Sequence, residues 1–220
     1  MYVAEAYAEL GKTDRALELA RGIDSNYHQT KAIGEVAIRL ARDDQIDRAV
    51  ELVDQTPKKF ERLQYRSKVA SICAQKGMAD RAMDIAGVID HRSLRPTALV
   101  SVANELVKHG EFEAALSALQ KVSGTPGFKS DSAGNVIEGI VEQCTADNYE
   151  RLLQIAQDTA EAIAEDRRGS SLYKVGEKYW RMGEPQTALD ILERTEGYSG
   201  SQLDTMSRVF VTRAAIHWSQ

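Results

Sequence analysis

Residues 4–20, Ala4-Glu5-Ala6-Tyr7-Ala8-Glu9-Leu10-Gly11-Lys12-Thr13-Asp14-Arg15-Ala16-Leu17-Glu18-Leu19-Ala20, carry a skeleton that returns three times at an interval of 33 residues. Gly11 recurs as Asp44, Gly77 and Gly110, and Ala16 as Ala49, Ala82 and Ala115. Val3 is matched by Val36, Val69 and Val102, Ala4 by Ala37, Ala70 and Ala103, and Leu19 by Leu52, Ile85 and Ala118. Beyond residue 120 the interval stretches: Asp147 and Leu152 stand 37 residues after Gly110 and Ala115, and Gly183 and Ala188 a further 36 on. A fixed period of this length marks a solenoid, in which one supersecondary unit is stacked on copies of itself. Six units of 33–37 residues and a C-terminal capping helix account for the chain.

Each unit reads as two helices around a glycine-centred turn. Val3, Ala4, Tyr7 and Leu10 fall at i, i+1, i+4 and i+7, one apolar stripe of a 3.6-residue period. Gly11 stops that helix, because glycine accepts the left-handed geometry of a helix C-terminus. Thr13 or Asp14 is expected to cap the next helix, on which Ala16, Leu17, Leu19, Ala20 and Ile23 form a second stripe. The short turn folds the two helices into an antiparallel pair. Ala4 and Ala16 are small where the partner backbone must come close, so their equivalents are expected at the helix crossing.

Stop and start signals separate the units: Asp24-Ser25, Thr56-Pro57, and Asp90 with Pro96. A single domain is expected over 1–220, with four regular repeats in 1–122, a linker at 123–134 (Ser-Gly-Thr-Pro-Gly-Phe-Lys-Ser-Asp-Ser-Ala-Gly) and two longer repeats with the cap in 135–220. In the longer part the pattern predicts a helix over 148–166, with Leu152, Leu153, Ile155, Ala156, Thr159, Ala160 and Ile163 facing inward. Helices over 171–182 and from Glu184-Pro185 to Glu193 follow, and one over 203–218 is expected to cover the last apolar face. In this register the first helix begins a turn late, as in a piece of a longer chain.

Composition narrows the functional classes. With 43% hydrophobic and only 6% aromatic residues, and abundant Ala, Leu, Glu, Arg and Lys, the chain is all-α in character. A net charge of −5 argues against a general nucleic-acid binder. Cys73 and Cys144 fall on the apolar pattern and form no CxxC pair, so they read as small core residues of a reducing compartment. No signal peptide and no 18-residue apolar run is present, which makes a cytoplasmic protein without membrane contact the expectation. His28, His91, His109 and His217 lie at unrelated repeat positions, and no HExxH, phosphate loop or dinucleotide fingerprint occurs. The carboxylates Asp43, Asp44 and Asp47 sit at helix starts, where the helix dipole favours them. No catalytic site, metal or cofactor is expected.

Residues 4–20 resemble the core of a tetratricopeptide repeat. That family places a small residue and an aromatic on its first helix, glycine at the turn and alanine on its second helix. Ala4, Tyr7, Gly11 and Ala16 stand at those places, Gly176, Tyr179, Gly183 and Ala188 do so again, and Ala37, Leu40 and Ala49 match in part. The sequence departs from the family in having no Trp at the start of the first helices, no closing Pro, and Ala20 and Ala86 where a large aromatic is usual. The resemblance implies a right-handed superhelical solenoid whose groove, lined by first helices, binds peptides or proteins.

In that family the groove is lined one and two turns along each first helix. Here these positions are Glu5, Ile38, Ser71, Asn104, Val141 and Glu177, then Glu9, Arg42, Gln75, Lys108, Thr145 and Arg181. Arg42, Lys108 and Arg181, with Asn104 a turn before Lys108, are the groups expected to grip a peptide's carboxylates. The carboxylate clamp of chaperone-binding members is incomplete, since Glu138 stands where a second Asn would help. Tyr173, Tyr179, Trp180 and Trp218 concentrate aromatics toward the C-terminus, with Trp180 on the groove side and Tyr179 at a packing position. A secondary basic patch, Lys58, Arg62 and Arg66, lines up at i, i+4 and i+8 within 58–68. The expected function is a non-catalytic scaffold for a protein or peptide. Its alternatives are a helical-repeat nucleic-acid binder using 58–68, and self-assembly through repeat ends bearing Val3, Ala6 and Leu10 or Phe210 and Trp218.

Overall fold

The structure is a computed structural model that describes residues 2–122, 131–162 and 165–193. Among these residues it contains helices and turns and no strand. The chain divides into two compact units, Met1–Glu111 and Phe112–Gln220. The first holds α1 (Tyr2–Glu9), α2 (Thr13–Arg21), α3 (Asn26–Arg42), α4 (Ile46–Asp54), α5 (Lys59–Gln75), α6 (Ala79–Gly87) and α7 (Leu94–Lys108). The second holds α8 (Phe112–Gln120), α9 (Asp131–Gln143), α10 (Tyr149–Ala162), α11 (Glu165–Arg181) and α12 (Pro185–Glu193).

The turn that the period is built on has one geometry. Gly11, Asp44, Gly77, Gly110 and Gly183 have φ of 74°, 65°, 71°, 76° and 90°. In each case the following amide donates to the carbonyl five residues back: Lys12 to Tyr7, Gln45 to Leu40, Met78 to Cys73, Glu111 to Leu106 and Glu184 to Tyr179, at 2.9–3.0 Å. This is the left-handed C-terminal stop with its 6→1 bond, which satisfies a carbonyl that the helix end leaves open. It also leads straight into the next helix. The N-cap positions are therefore Lys12, Gln45 and Met78, which make no side-chain cap bond, and neither Thr13 nor Asp14 caps α2 as expected.

In the first unit the odd-numbered helices form a continuous row, α1 on α3, α3 on α5 and α5 on α7. Each even-numbered helix lies against the helix before it and the helix after it. The small residues sit where the pattern put them: Ala4, Ala37, Ala70 and Ala103 on the row, and Ala16, Ala49 and Ala82 on the even helices, all buried. Around them Val36, Val69, Val102, Leu40 and Leu106 fill the core, which supplies the burial that short helices need.

The second unit departs from the expected boundaries. Residues 131–134, assigned to the linker, belong to α9, and 123–130 lie outside the described residues. The helix predicted over 148–166 ends at Ala162, and α11 begins at Glu165 rather than 171. Leu152, Leu153, Ala156, Thr159 and Ala160 are buried as predicted, and Ile155 is half-buried. Ile163 and the 203–218 helix lie outside the described residues. Asp147 does not take the left-handed turn. There α9 ends in a longer turn closed by the Asn148 side chain, whose Oδ1 accepts from the Thr145 amide at 2.8 Å. Buried Val136, Ile137, Ile140 and Val141 match Val102, Ala103, Leu106 and Val107 at an interval of 34, so the extra residues are in the turn and not in the helix.

Candidate functional site

Of the residues expected in the groove along the odd-numbered helices, those of α1 and α3 meet around one hollow of the first unit. Glu5 and Glu9 of α1 and Lys31, Glu35, Ile38 and Arg42 of α3 line a hollow of about 230 Å³, together with Ala8 and Arg39. Glu9, Arg42, Gln75 and Lys108 are exposed, Ser71 and Asn104 are half-buried, and Ile38 is buried. Four of the expected groove positions, Glu5, Glu9, Ile38 and Arg42, are thus brought together around one concavity.

Its electrostatics are mixed. Arg39 is committed internally: Nε donates to Asp43 Oδ2 at 2.8 Å and Nη1 to the Glu9 carbonyl at 3.0 Å, tying α3 to the end of α1. Among the described residues Arg42, Lys31 and the carboxylate of Glu9 have no ion pair or hydrogen bond, which leaves them able to meet a ligand. Glu5 keeps one oxygen, Oε1, sealed from solvent with no donor. Glu35 Oε1 accepts from the Tyr65 hydroxyl of α5 at 3.2 Å, and Lys68 Nζ lies 4.8 Å from the centre of the Tyr65 ring. Burial first, and the Glu35 charge second, hold the Tyr65 phenol well above the ordinary tyrosine range. Tyr65 therefore stays a neutral donor to Glu35 and fixes that carboxylate at the hollow.

The other cations are paired along their own helices. Lys108 Nζ meets Glu105 at 2.9 Å, and Arg181 of α11 meets Glu177 at 2.7 Å. Both remain exposed, and such pairs are weak enough to exchange for a ligand. In the second unit the expected groove positions shift. Val141 is buried in the core and Thr145 belongs to the turn; the interval of 34 puts Glu138 and Glu142 in their place. The cause is the three-residue extension of the turn, which carries no apolar signature to reveal on which side of it the insertion falls.

Trp180, expected on the groove side, is half-buried, at the position where the other units bury Ala8, Ala41, Ala74, Val107 and Val141. Tyr173 and Tyr179 are buried, the latter edge-on to Tyr149 with ring centres 6.4 Å apart. Trp218 and Phe210 lie outside the described residues.

The basic segment 58–68 presents fewer free cations than its composition suggests. Arg62 Nη1 donates to the carbonyls of Asp54 and Thr56 at 3.2 and 3.3 Å, and Arg66 pairs with Asp54. Both guanidiniums are thus turned onto the C-terminal end of α4, where carbonyls lack helical partners. Lys58 stays exposed.

Among the described residues no group of three or more His, Cys, Asp or Glu is placed to hold a metal, and no helix is long and apolar enough to cross a membrane. His91 Nδ1 faces the amides of Ser93 and Leu94 at 3.4 and 3.3 Å, at the start of α7. Cys73 and Cys144 are free and buried; burial pushes the Cys73 thiol up to about 11 and raises Cys144 as well. No protein-family model matches the sequence, and no curated protein matches it.

Proposed function

We propose that the chain is a non-catalytic scaffold that binds a protein or peptide on the face of its odd-numbered helices, within a right-handed superhelical solenoid of antiparallel, tetratricopeptide-like pairs. One observation carries the reading. The positions that pack repeat their residue type from unit to unit, while the polar positions that meet at the hollow do not: Glu5 stands against Ile38 and Glu9 against Arg42, and the equivalents of Glu9 on α5 and α7 are Gln75 and Lys108. A face built only for solvent needs neither a concavity nor an unpaired arginine beside three carboxylates. Selection of a displayed peptide library on the chain, followed by titration of the enriched peptides, tests this. Binding that falls at least about tenfold in R42E/K108E, with the helical signal unchanged, is expected from loss of charge-assisted contacts. No enriched peptide, or unaltered binding by the variant, overturns the reading.

A second reading, association of copies through α1, rests on Val3 and Leu10, which are 61% and 72% exposed, whereas Val36, Val69 and Val102 are fully buried. Light scattering over a concentration series separates the two: the scaffold reading requires no self-association, and V3E/L10E abolishes it where the second holds.

A further inference from the structure

The even-numbered helices of the first unit are linked to one another differently from the odd-numbered ones. Successive odd helices share an apolar core, but α2 and α4 leave between them a cleft of about 400 Å³, lined by Leu17 and Leu52 among charged side chains. The hydrogen bonds and ion pairs that cross from one even helix to the next, among the described residues of this unit, are those of Arg48 to Asp14 and of Arg81 to Asp47. The sequence behind them is the tripeptide Asp-Arg-Ala, which opens α2, α4 and α6 as Asp14-Arg15-Ala16, Asp47-Arg48-Ala49 and Asp80-Arg81-Ala82. The acid is the second residue of each helix, and the arginine that reaches it is the third residue of the next even helix. The second unit repeats the link between α8 and α10, with Glu113 and Arg151 at the same positions and 2.8 Å apart. In that unit the two helices also pack directly, so the pair there is not the sole connection.

We propose that Asp14–Arg48 and Asp47–Arg81 are ionic straps that set the spacing of α2, α4 and α6, so that the geometry of the first unit responds to ionic strength. Four observations converge on this. The pairs recur at one repeat position, they bridge helices that do not pack directly on each other and, between α2 and α4, leave a cleft, they are exposed on both sides, and among the described residues no second polar link duplicates them. An exposed pair contributes little to whether a domain folds, because water and salt screen it. It weighs more on how far apart α2 and α4 stand, because these two do not pack on each other and are otherwise joined through α3, on which both lie. Raising salt from about 0.1 M to about 1 M shortens the screening length from about 10 Å to about 3 Å, which weakens the attraction between exposed charges such as Asp14 and Arg48. Since α4 packs on α3, whose Lys31, Glu35, Ile38 and Arg42 form one wall of the hollow, a change in strap length is transmitted to that wall.

The test is a distance measurement between spin labels on the full chain. Labels at E18C and E51C report the gap between α2 and α4, and labels at E9C and R42C report the hollow; buried Cys73 and Cys144 are the unlabelled background. In the otherwise unaltered chain, high salt is expected to lengthen the 18–51 distance and broaden its distribution. R48A/R81A is expected to show the longer distance at low salt and to lose the salt response. The charge swap D14R/R48D is expected to restore both. A distance that ignores salt in the unaltered chain, or a salt response that survives in R48A/R81A, overturns the proposal. Because the salt titration needs no strap variant, it decides the matter even if R48A/R81A fails to fold. An unchanged 9–42 distance, with 18–51 responding, overturns the transmission to the hollow and leaves the straps standing.

Discussion

The ring of Tyr65 on α5 occupies the space into which a Cβ on Gly34 of α3 would project. The same pair of repeat positions meets in the second unit, where a Cβ on Gly134 would lie 3.4 Å from the Ser171 hydroxyl. Position for position, Tyr65 stands where other units carry Ala32, Ala98 and Ser171, all buried. An oversized side chain at a helix contact built for alanine is accommodated because its neighbour has none. The benefit falls on the candidate site, since Tyr65 reaches through to hold Glu35.

Gly34→Ala is therefore expected to destabilise the first unit by about 1–3 kcal/mol, the range for overpacking a well-filled contact. Tyr65→Ala alone costs a comparable amount by leaving a cavity. The double variant should be less destabilised than the sum of the two, because the alanine at 34 then has room. Urea denaturation of the four chains in a double-mutant cycle measures the coupling. Additivity would show that the two side chains do not compete for the same space.

Asp44 is the non-glycine residue that adopts positive φ among the described residues, and it does so at the position filled by glycine in four other turns. Holding an L-residue there costs about 1 kcal/mol, only partly offset by the exposed pair of Asp44 with Lys76 at 2.6 Å. Asp44→Gly is expected to raise stability by roughly 0.5–1 kcal/mol. Gly77→Ala should lower it by a similar amount, and there the cost is conformational alone, because a Cβ at Gly77 meets nothing within 4 Å. Thermal unfolding of both variants checks the opposite signs.

These two cases show what the sequence could and could not reveal. Glycine at a fixed interval signals a left-handed turn through its chemistry, so the turns, the helix pairs and the buried alanines were legible before any coordinates. Asp44 was legible only through the period. The pairing of Gly34 with Tyr65 was not, because a contact between units leaves no local signature in either helix. The Asp14–Arg48 and Asp47–Arg81 pairs were hidden for a different reason: an acid at a helix start is already explained by the dipole, and nothing local says that it also reaches the next repeat. Of the positions expected in the groove from the family resemblance, Glu5, Glu9, Ile38 and Arg42 meet around one hollow, whereas Val141 and Thr145 fall out of register because a longer turn shifts the frame.

Ala49 lies on α4 with no exposed surface. Only the fifth unit carries a larger residue there, Leu152, and that unit has the longer turn. Ala49→Leu is expected to cost about 1–3 kcal/mol, since the added methylenes have no void to enter. Guanidinium unfolding reads the loss. A variant as stable as the unaltered chain would mean that the helices can separate without penalty, although Ala16, Ala49, Ala82, Ala115 and Ala188 are all fully buried.

Cys73 supplies a pH test of the core. Burial lifts its thiol from an ordinary value of 9.0 to about 11, with Arg81 and Lys76 opposing that rise. The folded state therefore holds the thiol proton more tightly than the unfolded chain does. Stability from this source is complete below about pH 9 and is lost as pH rises toward 11, because only the unfolded state ionises readily in that window. Tyr65 and Tyr179, also raised by burial, act in the same direction, so the chain as a whole should weaken through this range. The contribution of Cys73 is isolated by comparison with C73A. Denaturation midpoints followed between pH 8 and 11 should fall less steeply in C73A than in the unaltered chain, and parallel curves would show that the thiol is no better shielded in the fold than out of it.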